Sequence, residues 1–280
     1  MSGLEDSAWI ARINRHFGRR CKVVWSGHKE PRVRRIGVWK VSGELLPEVE
    51  RSRDELRERG KPNEKHALCV NQINFTDEKL DIGYQTIDFA TARVLRSRKL
   101  CPGYGILSAS SFLVSVERRI VFVQRRSASM DLNPGRLHGF AGAYSPGHEL
   151  DDSDGDKFSL IKTAHRALRE ETCLDLVHMQ PVNLVVFSDP LTTAIEICLL
   201  GVAVTDEEIA RLEDTDEGTV YPIPMDELGD FLLQDERWGP GGQCEVMAWL
   251  ALGAHPFRPD ERFSGLTAQQ TFERLTTSIR

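Results

Sequence analysis

Apolar residues along this chain form short alternating runs and helix-spaced stripes in an irregular succession. In the first hundred positions, strand-like runs occur at Val23–Trp25, Ile36–Val41 and Ala67–Phe75. Between the last two, Pro47–Arg59 interleaves Glu and Arg at i, i+3 and i, i+4 spacing, which predicts an exposed helix. Thr86–Arg98 sets Ile87, Ala90, Val94 and Leu95 on one helical face and predicts a second helix. After the punctuation of Pro102-Gly103-Tyr104-Gly105, two β-rich runs follow at Ile106–Val116 and Ile120–Gln124. The charged turn Glu117-Arg118-Arg119 joins them as a hairpin.

Further on, Asn133–Gly147 reads as a Gly-rich loop, and an acidic insert follows it. Leu160, Ala164, Ala167, Leu168 and Glu171 then recur at helical spacing behind Ser159, which predicts a helix over Ser159–Glu171 with a serine cap. A strand pair is predicted at Val182–Phe187 and Ala194–Val204. Helices are predicted over Asp206–Glu213, near Met225–Leu232 and over Glu245–Leu252. Strands and helices mix without a regular βαβ alternation, so the fold class reads as α+β. The expected organisation is an α+β N-terminal region over 1–101, a main domain over 102–258 and a tail or helix over 259–280.

Composition narrows the function classes. At 280 residues, 40% hydrophobic and 28% charged, the chain matches an ordinary globular protein. A net charge of -6 argues against a general nucleic-acid or membrane-surface binder, which requires a basic excess. The clusters Arg32–Arg35 and Arg93–Lys99 read as solvated faces or as a hold on one anionic ligand. Six dispersed cysteines without a C-x-x-C pair exclude the common zinc spacings and read as reduced core residues. The first residues show no secretory pattern, and no stretch is long and apolar enough to span a bilayer, so a cytoplasmic protein is expected.

The candidate chemistry lies between Val121 and Leu174. A strand ends in Gln124-Arg125-Arg126-Ser127, and a loop runs from Pro134-Gly135-Arg136-Leu137-His138 through Gly139-Phe140-Ala141-Gly142-Ala143 to Glu149. The helix then presents Arg166-Ala167-Leu168-Arg169-Glu170-Glu171-Thr172-Cys173-Leu174. On a helix, positions 167, 170 and 171 share one face, and carboxylates there form an oxygen-rich patch suited to Mg²⁺ or Mn²⁺. Gly-rich backbone beside such a patch allows close approach of a ligand.

This ordered set resembles the Nudix family, whose signature is G-x5-E-x7-R-E-U-x-E-E-x-G-U with U a bulky aliphatic residue. The resemblance covers about 102–258 and implies a Nudix-type α/β/α sandwich with a mixed sheet. Glu149, Arg166, Leu168, Glu170, Glu171 and Leu174 match the signature. Ala143 stands where it has Gly, Ala167 replaces a Glu that ordinarily ligates metal, and Cys173 replaces its second Gly. Sixteen residues separate Glu149 from Arg166, where the signature has seven.

Carried over to this chain, the resemblance implies Mg²⁺ or Mn²⁺ held by Glu149, Glu170 and Glu171. Glu149, Arg166, Glu171 and Glu217 form the candidate catalytic set, with Arg125, Arg126 and Gly142 towards substrate. Asp151, Asp152, Asp154 or Asp156 of the insert, His138 and His165 are further candidates for replacing the missing ligand. Two readings follow. One is a hydrolase cleaving the diphosphate of a nucleoside-diphosphate-X substrate; the other is a binding module that senses a nucleotide or phosphorylated metabolite without cleaving it. Substrate choice or a homodimer contact is left as the role of the N-terminal region. Trp238 and Trp249 read as core or lid packing rather than as base-stacking platforms.

Overall fold

The computed structural model describes residues 5–75, 80–100, 103, 105–145, 159–176, 183–190, 192 and 194–277. The N-terminal region runs α1 (Glu5–Phe17), β1 (Lys22–Gly27), β2 (Arg32–Val38), α2 (Leu46–Glu58), β3 (Lys65–Phe75), β4 (Leu80–Asp88) and α3 (Phe89–Ser97). Then come β5 (Gly105–Ser115), β6 (Ile120–Arg126), β7 (Leu137–His138), β8 (Phe140–Ala143) and α4 (Leu160–Thr172). The chain continues through β9 (Leu184–Asp189), β10 (Ala194–Ala203), α5 (Asp206–Ile209), β11 (Gly218–Pro224) and α6 (Leu228–Leu232). Two helices follow, α7 (Pro240–Ala251) and α8 (Ala268–Thr277).

One mixed sheet of 11 strands organises these elements, in the order β1-β9-β10-β5-β3-β4-β2 with β6, β7, β8 and β11 branching from it. Strand β5 is the hub. It pairs in parallel with β10 along one edge. Along the other edge β3 pairs near Ile106, β8 from Ser108 to Ser111, and β6 from Leu113 to Ser115, all antiparallel. The expected hairpin is thus present as β5–β6. The sheet also crosses residue 101 without interruption, because β3 adds directly to β5 and β1 adds to β9.

Period-2 alternation distributes the core onto two faces. Leu107, Ala109 and Leu113 of β5 share a cluster with Val186, Ile197 and Leu199, and with Ala164 and Leu168 of α4. Their neighbours Phe112, Val114, Val185, Phe187, Cys198 and Leu200 join a second cluster with Trp9 and Ile13 of α1, Trp249 of α7 and Phe272 of α8. Helices therefore cover both faces of the sheet, the layering that the resemblance implies. Trp238 and Trp249 are buried in this second cluster.

Several local expectations change. The segment read as a helix from Thr86 is strand up to Asp88, and the helix begins at Phe89. The Asp88 carboxylate sets that boundary by accepting a hydrogen bond from the Thr91 amide at 2.8 Å, which satisfies one of the orphan donors of the first turn. The segment 5–17, left unassigned by the sequence reading, is helical because Trp9, Ile13 and Phe17 repeat at intervals of four and bury one stripe. The Gly-rich loop contains the short strands β7 and β8. Cys21, Cys198 and Cys244 are buried free thiols, whereas Cys173 is exposed. No helix among the described residues is long and apolar enough to cross a membrane.

Candidate functional site

Helix α4 is held in place at both ends. Its Ser159 hydroxyl accepts from the Lys162 amide at 3.2 Å, and Cys173 closes it in the left-handed conformation. Between the caps, one side of the helix lies against β8. A Cβ added to Gly142 would sit 3.0 Å from the Ala167 methyl, so the glycine is what permits this contact. Arg166 donates to the Ala143 carbonyl at 2.6 Å and to Glu170 at 2.9 Å. Glu171 accepts from the Ala141 amide at 2.9 Å. Both residues thus fasten the backbone of β8 to the helix, a task that the spacing alone did not distinguish from ligand binding.

These elements wall a cavity of about 720 Å³. Gly142, Arg166, Ala167, Glu170, Glu171 and Glu217 all line it, so the helix face inferred from the sequence does open onto a cleft. Glu149 and Asp151, Asp152, Asp154 and Asp156 lie outside the described residues. Glu171 is 2% exposed, and its second oxygen, Oε1, has no hydrogen-bond partner among the described residues. Burial raises its pKa well above the ordinary carboxylate range, and the neighbouring Glu217 carboxylate adds to the rise, while Arg126 opposes it. Glu170 is exposed and its carboxylate is engaged by Arg166.

The two arginines at the end of β6 part company. Arg126 lines the cavity, and its Nε has no partner among the described residues. Arg125, one residue earlier, points the opposite way by strand alternation and stacks its guanidinium 4.3 Å from the Tyr221 ring centroid. The expectation that Arg125 faces substrate is therefore corrected: it belongs to the outer surface between β6 and β11. His138 lines the cavity as a buried residue, its pKa lowered to about 4 chiefly by burial. His165 lies on the outer turn of α4, 3.1 Å from Asp175.

The sequence reading missed two buried carboxylates. Glu196 of β10 is 4% exposed, lines the cavity and stands 3.9 Å from the His138 ring nitrogen. Glu245 of α7 lies deeper, accepting from the Ser110 hydroxyl at 3.2 Å. The available signal was a charged residue inside the otherwise apolar run Ala194-Ile195-Glu196-Ile197-Cys198, at a position buried on both faces of a central strand. Arg93 and Arg96 of α3 and His66 of β3 also line the cavity, so the N-terminal region forms part of its wall.

A divalent cation can be tested against this arrangement. Among the described residues there is no group of three or more His, Cys, Asp or Glu side chains that could hold a metal ion. Glu171 and Glu217 offer instead a neighbouring carboxylate pair with one orphaned buried oxygen. That donor set fits Mg²⁺, which commonly takes one or two protein carboxylates and completes its shell with water and substrate phosphate.

No protein-family model matches the chain, and no curated protein matches it. Among solved structures, similarity extends to a MutT protein from Methanosarcina mazei, at 16% identity over 61% of this chain and 92% of that one, with a TM-score of 0.30. It extends also to a bifunctional NMN adenylyltransferase/ADP ribose pyrophosphatase from Francisella tularensis, at 12% identity over 57% of this chain and 46% of that one, with a TM-score of 0.39. A third is the NUDIX domain of Shewanella oneidensis NrtR complexed with ADP ribose, at 18% identity over 46% of this chain and 76% of that one, with a TM-score of 0.29. All three are Nudix proteins, the family that the residues from Gln124 to Leu174 resemble.

Proposed function

We propose that the protein is a hydrolase that cleaves a diphosphate linkage in a nucleoside-diphosphate-X substrate, with Mg²⁺ or Mn²⁺ in this cavity. The observation that carries the reading is Glu171: a buried carboxylate with one oxygen unpartnered among the described residues, beside Glu217, in the wall of a cavity that Arg126 shares. In this reading Glu171 and Glu217 hold the cation, and Glu149 is a further candidate ligand. The cation, when bound, neutralises phosphate charge and activates water. Arg126 points a guanidinium at the phosphates. Arg166 is a positioning residue, because its bonds to the Ala143 carbonyl and to Glu170 fix β8 against α4.

A second reading, a module that binds a phosphorylated metabolite without cleaving it, is favoured by one observation. Ala167 contributes no carboxylate to the cavity wall, and Glu170 is committed to Arg166. The deciding experiment incubates the protein with a panel of nucleoside diphosphate derivatives and Mg²⁺ or Mn²⁺, beside Glu171→Gln. Metal-dependent turnover that falls on the order of a hundredfold or more in the variant supports the hydrolase. Ligand-induced thermal stabilisation without turnover of any panel member replaces it with the binder.

A further inference from the structure

The N-terminal wall of the cavity presents the guanidiniums of Arg93 and Arg96 to it. Arg96 of α3 is half-buried, its guanidinium 5.9 Å from the Phe89 ring centroid, and among the described residues it has no hydrogen bond and no ion pair. Arg126 reaches the same space from β6, also without a side-chain hydrogen bond or ion pair among the described residues. Arg93 is divided between distant partners: Ser52 at 3.3 Å, Glu55 at 3.5 Å and Asp131 at 3.8 Å. A charge-assisted bond to a carboxylate is about 2.7–2.9 Å, so none of these contacts saturates the fork.

The three guanidiniums lie within electrostatic reach of one another. The pKa of Arg96 is depressed, first by burial and then by the charges of Arg126 and Arg93, and Asp131 is the acidic group that relieves it. Folding brings like charges together beside a cavity, and among the described residues the side chains of Arg96 and Arg126 make no hydrogen bond or ion pair. Such an arrangement is costly unless an anion completes it. Planar guanidinium forks match the oxygens of a phosphate. Arg126 also acts electrostatically on Glu171, so the cluster continues from the carboxylate end of the cavity towards α3.

We propose that Arg96 and Arg93 of the N-terminal region, together with Arg126, form a metal-independent phosphate subsite. It receives a phosphoryl group lying beyond the diphosphate that the carboxylates address. The substrate class is then a small molecule with a phosphate outside the scissile pair, such as a nucleotide with a longer phosphate chain. The N-terminal strands and helices, by joining the sheet at β5, serve to carry this anion wall. Naming the substrate class rests on the hydrolase reading, whereas the subsite itself does not.

The test separates the two. Calorimetric titration of inorganic triphosphate into the full chain in EDTA reads the subsite alone. Binding is expected without metal, weakening as salt rises. Arg96→Gln is expected to weaken it by about tenfold or more, since a bond to a charged group is worth about 1.5–3 kcal/mol. Arg96→Gln should also raise the melting temperature of the ligand-free protein, because it removes a half-buried charge that Arg126 and Arg93 repel; a merely structural arginine would lower it. Arg96→Lys, which keeps the charge without the fork, is expected to bind with intermediate affinity and covers a failure of the glutamine variant to fold. Triphosphate binding that is absent in EDTA, or equal in wild type and Arg96→Gln, overturns the subsite even where turnover is observed. A failure of turnover across the substrate panel with this binding intact overturns only the hydrolase.

Discussion

Glu196 provides a quantitative test of the buried polar layer beneath the cavity. Its carboxylate is enclosed by β10, His138 and the underside of α7, with one oxygen, Oε1, unpartnered among the described residues. Burial raises its pKa from the ordinary 4.5 to about 7; Arg126 and the Ser110 hydroxyl only partly offset the rise. Below about pH 4.5 the group is protonated both folded and unfolded, and it costs nothing. Between 4.5 and 7 the unfolded chain releases the proton and the folded chain retains it, so stability falls as pH rises. Above about 7 both states are ionised and the full penalty applies. At about 1.4 kcal/mol per pH unit, the interval corresponds to about 3 kcal/mol.

Glu196→Gln keeps the shape and cannot ionise. Urea unfolding of both proteins at pH 5, 6, 7 and 8 reads the residue together with its coupling to His138 and Glu245, while His66 titrates in both and cancels. Those histidines, lowered to about 4, act in the opposite sense and weaken the fold on acidification from about 6.5. The variant is expected to gain on wild type steadily from pH 5 and to lead by about 3 kcal/mol at pH 8. A difference that stays flat across this range would show that Glu196 is solvated or paired in the native protein, and the reasoning would fail.

Other perturbations test the architecture around α4 and α3. Gly142→Ala places a methyl 3.0 Å from Ala167, so α4 must shift; a loss of about 1–2 kcal/mol in denaturant unfolding is expected. Ala167→Glu adds a carboxylate to the cavity wall and is expected to raise Mg²⁺ affinity about tenfold by calorimetry; unchanged affinity would argue that this helix face holds no cation. Asp88→Ala removes the cap of α3 and the acceptor for Arg53 and Asn63. It is expected to cost about 2–4 kcal/mol in thermal or urea unfolding and, by loosening α3, to weaken triphosphate binding.

The sequence exposed those features whose physical signal is local. The stripe Leu160, Ala164, Ala167, Leu168 with its serine cap fixed α4 to within a residue, and the charged turn at Glu117-Arg118-Arg119 fixed the β5–β6 hairpin. Where two periods fit one stretch, the reading failed. Ile87, Ala90, Val94 and Leu95 suit a helix, yet Ile87 is strand, because β4 is already paired with β2 up to Thr86 and with β3 up to Asp88. The phase of β6 decides that Arg126 and not Arg125 faces the cavity, and adjacent arginines carry no mark of phase. Nor does composition reveal that Arg96 of α3 and Arg126 of β6 line one cavity, because that placement depends on β3 joining β5 across a long stretch of chain.

The two substitutions in the Nudix-like helix are physically different, and Cys173 shows why. Where the signature has glycine, this residue adopts φ 60° and ψ 10°, the left-handed cap whose amide donates to the Arg169 carbonyl at 2.9 Å. The conformation is retained although its residue has a side chain, so the chain end of α4 turns as a glycine would turn it. An L side chain in that region is strained by about 1–2 kcal/mol, and glycine recovers this at the cost of about 0.5–1 kcal/mol of unfolded-chain entropy. Cys173 is exposed, so removing its side chain forfeits little packing. Cys173→Gly is therefore expected to stabilise the protein by about 0.5–1 kcal/mol in urea unfolding with turnover and triphosphate binding unchanged. A destabilised variant would mean that the thiol contributes a contact worth more than the strain. The stabilised outcome leaves Ala167 as the single change on this helix that removes a metal-ligand type, and places the question of catalysis on Glu171 and Glu217.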